Sequence, residues 1–363
     1  NPNLTDNNNS PFLHQSRKKN PFPSYRGTEL TPSPLLNTIE RGDAVRILLT
    51  SILCKSGLST HVWDLTNSLI EQGVTVSIGF RTNGTGSCKY GRWLEQMDHL
   101  PYFFYTTNEE LLHRSAQLHP HLIHTHSPLC FPSSVQAAVR YGVPLIITLH
   151  SPFPVERWYP LTVLLARWII AVGPAQKQSV PSYLSKTVII PNGIDLNRFQ
   201  PKTYIHNQPL KICWFGRAHG AVTQGISCLN QALRLVRKTG AKVPAYFIGV
   251  AAGAERDEFI HLGWLDDPVS FLQKTQAAFA HGRALREAMA CGNIGHLLGA
   301  GYRGLVTKEM IESNQHLDAF PQYRLAPAVP ERLADHILKL LRHPDSIPVL
   351  QKEARQIALK YFD

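Results

Sequence analysis

The sequence predicts an α/β chain built as two doubly wound parallel-sheet domains in tandem. Three observations carry this. Short apolar runs of strand type alternate with helical segments, which implies right-handed crossovers and parallel pairing. The alternation halts at a Pro-Asn-Gly turn near Asn192–Pro201 and then restarts. The 363 residues, 43% hydrophobic and 17% charged, suffice for two cores of ordinary size.

Residues 1–42 are rich in Asn, Pro and Ser, with a basic cluster at Arg17–Lys19. They predict a disordered or loosely ordered arm, whose cluster reads better as a solvated tail than as a contact to acidic lipid. The first domain is expected over 43–195. Val45–Leu53 is a buried-strand run, followed by Gly57 and a helical segment from Thr60 to Gln72 closed by Gly73. Val74–Phe80, His121–Ser127, Pro144–His150, Trp168–Gly173 and Thr187–Gly193 are the next strands, with helical segments between them. The second domain is expected over 196–363. Its strands are Leu210–Gly216, Ala245–Val250, Phe259–Leu265, Ala277–Ala280 and Asn293–Gly299; its helices include Ser227–Thr239 and Arg283–Ala290. Glu331–Phe362 is a helical tail broken near His343–Pro344, and its last helix is expected to pack back on the first domain.

The net charge is +11, and +7 of it falls in 196–363. Nucleic acid, an anionic membrane or a phosphate-bearing small molecule would each suit that excess. No run of Lys and Arg interleaved with aromatics occurs, which argues against nucleic acid. Six cysteines without a C-x-x-C pair read as reduced thiols of a cytoplasmic protein. The longest apolar run, Leu161–Val172, is broken by Arg167, so no spanning helix is predicted. The chain does not begin with Met and shows no signal-peptide core, so its start reads as trimmed or a fragment.

The chemistry concentrates at strand ends. In KICWFGRAHG, a buried strand runs out at Gly216 with Arg217 next to it. Glycine lets the backbone approach an anion, and Arg supplies a donor fork for phosphate. In FAHGRALREAMACG, Gly282 and Arg283 open a helix whose free N–H groups would face an anion, and Glu287 one turn later can accept from ribose hydroxyls. GAGYRGLV (299–306) reads as a glycine-rich loop wrapping phosphates or sugar. In the first half, KSGLSTH places Gly57 and Ser59 toward the gap between domains. HTHSP and LHSPFP put His124, His126 and His150 at strand ends. No carboxylate or cysteine stands near them at ligand spacing, so no metal is predicted. His126 and His150 are expected to donate hydrogen bonds to a substrate across the cleft.

With these residues in hand, the chain resembles a GT-B glycosyltransferase, more narrowly the retaining, glycogen-synthase-like group of family four. The resemblance spans 44–363 and rests on SGLSTHV, HLIHTHSP, TLHSPFP, IIAVG, IIPNGIDLNRF, WFGRA, HLGWLDD, GRALREAMACG and GYRGLV. It implies two Rossmann-like domains facing a cleft, the first binding the acceptor and the second a nucleotide sugar, with no further cofactor. Gly216, Arg217 and the segment Gly301, Tyr302, Arg303, Gly304 would hold the diphosphate, beside Gly282 and Arg283. Glu287 would hold the ribose. Gly263, Trp264 and Leu265 would face the base. His150 would lie beside the donor sugar, with Arg217 as its catalytic counterpart, and Gly57 would approach the phosphates on closure. His126 and Ser151 are assigned to the acceptor side.

Two departures from the family pattern stand out. The family carries two glutamates eight positions apart, and the partner position of Glu287 here is Phe279. The family also carries a Lys shortly after the Gly-Arg turn, whereas HGAVTQG (219–225) has none and Gln224 is the nearest polar candidate. Arg283 or Arg303 could offset that loss. The expected activity is transfer from a UDP-sugar with retention of configuration, the leaving phosphate taking the acceptor's proton. The alternatives are a non-catalytic relative that binds nucleotide sugars or glycans, and a sugar-nucleotide epimerase on the same fold. A dehydrogenase fits less well, because CKSGLS rather than G-x-G-x-x-G follows the first strand. Arg81–Gly91 and Pro152–Leu161 are the loops expected to read the acceptor, and a peripheral contact with a membrane stays open.

Overall fold

A computed structural model describes residues 44–54, 56–82, 95, 97–202, 209–313, 317 and 325–363. The expected arm, Lys55, Cys88 and most of the acceptor loop Arg81–Gly91 lie outside the described residues.

The first sheet holds seven parallel strands: β1 (Arg46–Ile52), β2 (Thr75–Arg81), β3 (Tyr102–Tyr105), β4 (Leu122–Thr125), β5 (Leu145–Leu149), β6 (Trp168–Ala171) and β7 (Thr187–Ile189). Their order is β3-β2-β1-β4-β5-β6-β7, so the winding reverses between β1 and β4. Helices α1 (Gly57–Glu71), α2 (Asn108–Leu118) and α3 (Phe131–Tyr141) are the longest crossovers. Leu49, Val62, Ile78 and Phe80 fill the core on one side, and Leu48, Ile123, Phe131 and Ile147 fill it on the other. That two-sided burial is why the strands read as nearly continuous apolar runs.

The second sheet repeats the plan with β8 (Ile212–Ala218), β9 (Ala245–Ala251), β10 (Ile260–Gly263), β11 (Ala277–Ala280), β12 (Ile294–Leu298) and β13 (Tyr302–Leu305). The order is β10-β9-β8-β11-β12-β13, with the reversal between β8 and β11. Helices α4 (Val222–Lys238) and α6 (Pro330–Arg342) cover one face, while α5 (Gly282–Ala290) and α7 (Ser346–Tyr361) cover the other. The tail breaks at His343–Asp345, where Pro344 cannot continue α6. Helix α7 packs on α5 and on the crossover after β7. Arg355 donates to the carbonyls of Leu196, Phe199 and Ala290, and Ile194 N–H donates to Phe362.

Two elements differ from expectation. β3 is a strand that the sequence reading left out; its aromatics pack against β2 and α2 rather than alternating apolar with polar. The segment 299–306 is not a wrapping loop. Gly299 and Gly301 form a turn, while Gly304 lies within Tyr302–Leu305, which pairs antiparallel with β12. Complete burial of Tyr302 outweighs the weak strand propensity of its glycine neighbours. Cys54, Cys130, Cys213, Cys228 and Cys291 are free thiols, as expected. Among the described residues, no helix is long and apolar enough to cross a membrane.

Candidate active site

Ligands of open α/β sheets sit outside the carboxyl ends of the strands, where the winding reverses. In the second domain that place lies between the ends of β8 and β11. Gly216 has φ 132° and Gly249, beside it on β9, also has φ 132°. A Cβ on Gly249 would stand 1.8 Å from the Gly216 carbonyl oxygen, so the two strands close only as glycines. Arg217 follows with an exposed side chain. β11 passes directly into α5 through His281, with Gly282 at φ 59°. The Gly282 N–H donates to the Leu317 carbonyl at 2.6 Å, and no side chain caps α5. Gly263 ends β10 at φ 69°; Trp264 and Leu265 after it are half-buried, and the Trp264 Nε1 is buried without a partner.

The first domain meets this edge with the start of α1. Ser56 precedes it without a side-chain cap, leaving the first N–H groups of α1 toward the cleft. Gly57 packs on the Arg283 side chain; a Cβ there would lie 3.5 Å from Arg283 Cδ. Arg283 is buried and fully engaged. Its Nε donates to Glu287 at 2.7 Å, one terminal nitrogen to the Gly193 carbonyl at 2.9 Å, and the other to Asp64 of α1. One cation therefore joins both domains and the crossover. Burial raises the pKa of Glu287 and of Asp64 against the pull of Arg283. Burial works against the Arg283 charge too, but the two carboxylates outweigh it and its pKa is raised. Arg198 of the crossover adds a second tie, with its guanidinium 4.8 Å from the Trp63 ring of α1 and 3.3 Å from Asp267.

At the carboxyl ends of β4 and β5, His126 and His150 meet His61 of α1. The ring centroids are 5.4 Å apart for His61 and His126, 4.8 Å for His61 and His150, and 5.5 Å for His126 and His150. His126 Nδ1 stands 3.2 Å from His150 Nε2. Burial, then His124 and Arg283, lowers the His150 pKa to about 3, and burial and neighbouring imidazoles lower His61 and His126 well below the ordinary value. All three rings are neutral at neutral pH. His124 stands behind them, bonded to Thr148 at 2.7 Å and lowered by burial to about 4. Ser151 is exposed beside His150.

The structure thus brings together Gly57, Gly216, Arg217, Gly282, Arg283 and Glu287 at one interdomain edge, with His126 and His150 across it. It places the 301–304 segment differently from the sequence reading. Gly301 is buried against 325–327, where a Cβ would stand 2.4 Å from the Ala326 carbonyl oxygen. The Tyr302 hydroxyl is held between His296 at 2.9 Å and His336 at 2.6 Å. The Arg303 carbonyl accepts from Arg332, and Gly304 faces His336. Phe279 is buried in β11, stacked on His296 with centroids 4.6 Å apart. Position 279 therefore belongs to the sheet interior. The sequence reading missed His61 and Asp64. Their signal was the spacing Gly57, His61, Asp64, i, i+4, i+7, which lines one face of a helix.

Residues 55–198 match the family model described as Glycosyltransferase Family 4. That match takes in most of the first domain and ends at the crossover. Among curated proteins, none matches the sequence. In three dimensions the chain is similar to HepE of Anabaena, solved in complex with UDP and glucose. The identity is 16% and the TM-score 0.66, over 88% of this chain and 96% of that one. It is likewise similar to a glycosyltransferase of Rickettsia africae, at 15% identity and TM-score 0.66 over 88% and 95% of the two chains. Sucrose-phosphate synthase of Thermosynechococcus elongatus gives 16% identity and a TM-score of 0.60, again over 88% and 95%. At such identities the likeness shows the fold, and that fold is GT-B: two Rossmann-like parallel-sheet domains about a cleft.

Proposed function

We propose that the protein moves a sugar from a nucleotide diphosphate sugar, UDP-linked, to a glycan, lipid-linked or small-molecule acceptor, with retention of configuration. The observation that carries this is the meeting of the two switch points. The uncapped start of α1 and the glycine edge of β8 and α5 line one cleft, and Gly57 faces Arg283 across it. The UDP held by HepE supports uridine as the base.

In this reading Gly216 and Gly282 let the backbone close on the diphosphate, and exposed Arg217 stabilises the negative charge that develops on it as the sugar leaves. The starts of α1 and α5 add their N–H groups. Arg283 engages Oε1 of Glu287, which leaves Oε2 for the ribose hydroxyls. Gly263, Trp264 and Leu265 face the base. His150, neutral, donates a hydrogen bond to the donor sugar; His126 and Ser151 serve the acceptor side. Among the described residues, the carboxylates Asp64 and Glu287 both turn to Arg283, which leaves the departing phosphate to take the acceptor's proton. That supports retention. Arg283 ties the domains rather than replacing the missing Lys. Exposed Trp158, Leu161 and Leu164 beside Arg157 support a peripheral membrane contact for a lipid-linked acceptor. A groove lined by Pro152, Pro154, Glu156 and Gln178 runs next to them.

One observation favours a second reading, a non-catalytic nucleotide-sugar binder. β11 enters α5 through His281 alone, so no loop there carries a carboxylate over the sugar. A thermal-shift panel of UDP, GDP and ADP sugars, followed by donor turnover with and without candidate acceptors, separates the readings. Transfer supports the first. A UDP-sugar shift without turnover supports the second, turnover that needs no acceptor marks an epimerase or a hydrolase, and no shift with any nucleotide refutes the donor site.

A further inference from the structure

We propose that His61, His126 and His150 form a binding site for one divalent transition-metal ion of the zinc class. The sequence reading predicted no metal at His124, His126 and His150, because no carboxylate or cysteine stands near them at ligand spacing; the partner is a further histidine, His61, distant in the chain. The fold brings His61 to them on α1.

Geometry is the first support. Three imidazoles bound tetrahedrally, with metal–nitrogen bonds of about 2.0–2.1 Å, place their donor nitrogens about 3.3 Å apart and their ring centres about 5.2 Å apart. Here the three ring-centre distances run from 4.8 to 5.5 Å. His126 Nδ1 and His150 Nε2 already stand 3.2 Å apart, and one donor nitrogen from each of the three rings lies within 4.8 Å of the others. The three side chains come from three separate elements, so the protein scaffold holds the set without any one flexible loop.

Chemistry is the second support. Imidazole nitrogens as sole ligands suit zinc, cobalt, nickel and copper and do not suit magnesium or calcium. His61 and His150 are only partly buried, so a fourth coordination position opens toward the cleft, as in zinc sites that keep a water or a substrate oxygen.

The test uses the full chain, stripped with chelator and titrated with cobalt(II), a spectroscopic stand-in for zinc. One equivalent should bind with the visible absorption of a four-coordinate site, and zinc should displace it. His61→Asn and His126→Asn should each weaken cobalt binding by more than about a hundredfold, since even outer-shell partners of a metal are worth about 10–100-fold. Exposed His113→Asn should bind as the wild type does. Circular dichroism checks that each variant folds. A thermal shift with UDP alone, read at Arg217 and lacking the sugar that His150 would meet, tests the nucleotide site separately, so failure of one reading leaves the other standing. No saturable cobalt uptake by the wild type, or unchanged affinity in both His61→Asn and His126→Asn, overturns the site.

Discussion

Arg217 and Arg283 follow glycines at neighbouring strand ends, yet they meet different surroundings. Arg217 is exposed at the end of β8, whereas Arg283 is buried between Asp64, Glu287 and the Gly193 carbonyl. Arg217→Ala should therefore weaken UDP-sugar binding about 10–100-fold by calorimetry, the value of a charge-assisted hydrogen bond of about 1.5–3 kcal/mol, while leaving the melting temperature unchanged. An unchanged affinity would move the diphosphate elsewhere. His296 offers a test of stability. Burial, then His336, lowers its pKa in the folded protein to about 3 from the ordinary 6.5. Between those values the unfolded chain binds the extra proton, so stability falls as the pH drops from 6.5 toward 3. His296→Asn removes that proton, and its denaturation midpoint should change less over this window than the wild type's. Parallel profiles would show that the ring is hydrated in the folded state.

At the scale of elements, glycine contacts set how close the layers come. Gly225 sits in α4 against the turn after β12, where a Cβ would stand 1.9 Å from the Gly299 carbonyl oxygen. Gly225→Ala should cost about 2–3 kcal/mol in denaturant unfolding, because backbone rather than a flexible side chain must move. Gly57 is the contrasting case: its added Cβ would make only ordinary contact with Arg283. Gly57→Ala should keep the stability within about 0.5 kcal/mol and weaken nucleotide binding, if the start of α1 approaches the diphosphate. Equal affinity would remove Gly57 from the site. The central parallel strands and α5 were legible in the sequence, because continuous apolar runs and a Gly-Arg helix start are local signals. The end of the second sheet was not. Three glycines in 299–306 signalled a loop, but Tyr302 is pinned by His296 and by His336, which is 34 positions away.

At the scale of the whole molecule, the two domains are joined through α1, the crossover and α5. Asp64, Arg283 and Gly193 form one contact among all three, and Arg198 over Trp63 forms another. Asp64→Ala leaves Arg283 with Glu287 and one carbonyl. It should lower the thermal stability by about 2–3 kcal/mol, toward the low end for a broken buried pair, and raise the radius of gyration in solution scattering. An unchanged radius would mean that the crossover and α7 hold the domains without Arg283. Position 279 lies within β11, where the Phe279 ring packs on His296 in the core rather than reaching the cleft.

The sequence alone determined the α/β class, the two-domain plan, the glycine edge at Gly216 and Gly282, and the resemblance to family four. Those follow from patterns repeated within a few residues, where period, turn chemistry and strand length act locally. Only the tertiary structure decided which charges neutralise one another and which rings meet. Asp64 reaches Arg283 across 219 positions, and His61 reaches His150 across 89, and no local pattern records such distances. Burial, which gives those contacts their strength, exists only once the two sheets have closed on one cleft.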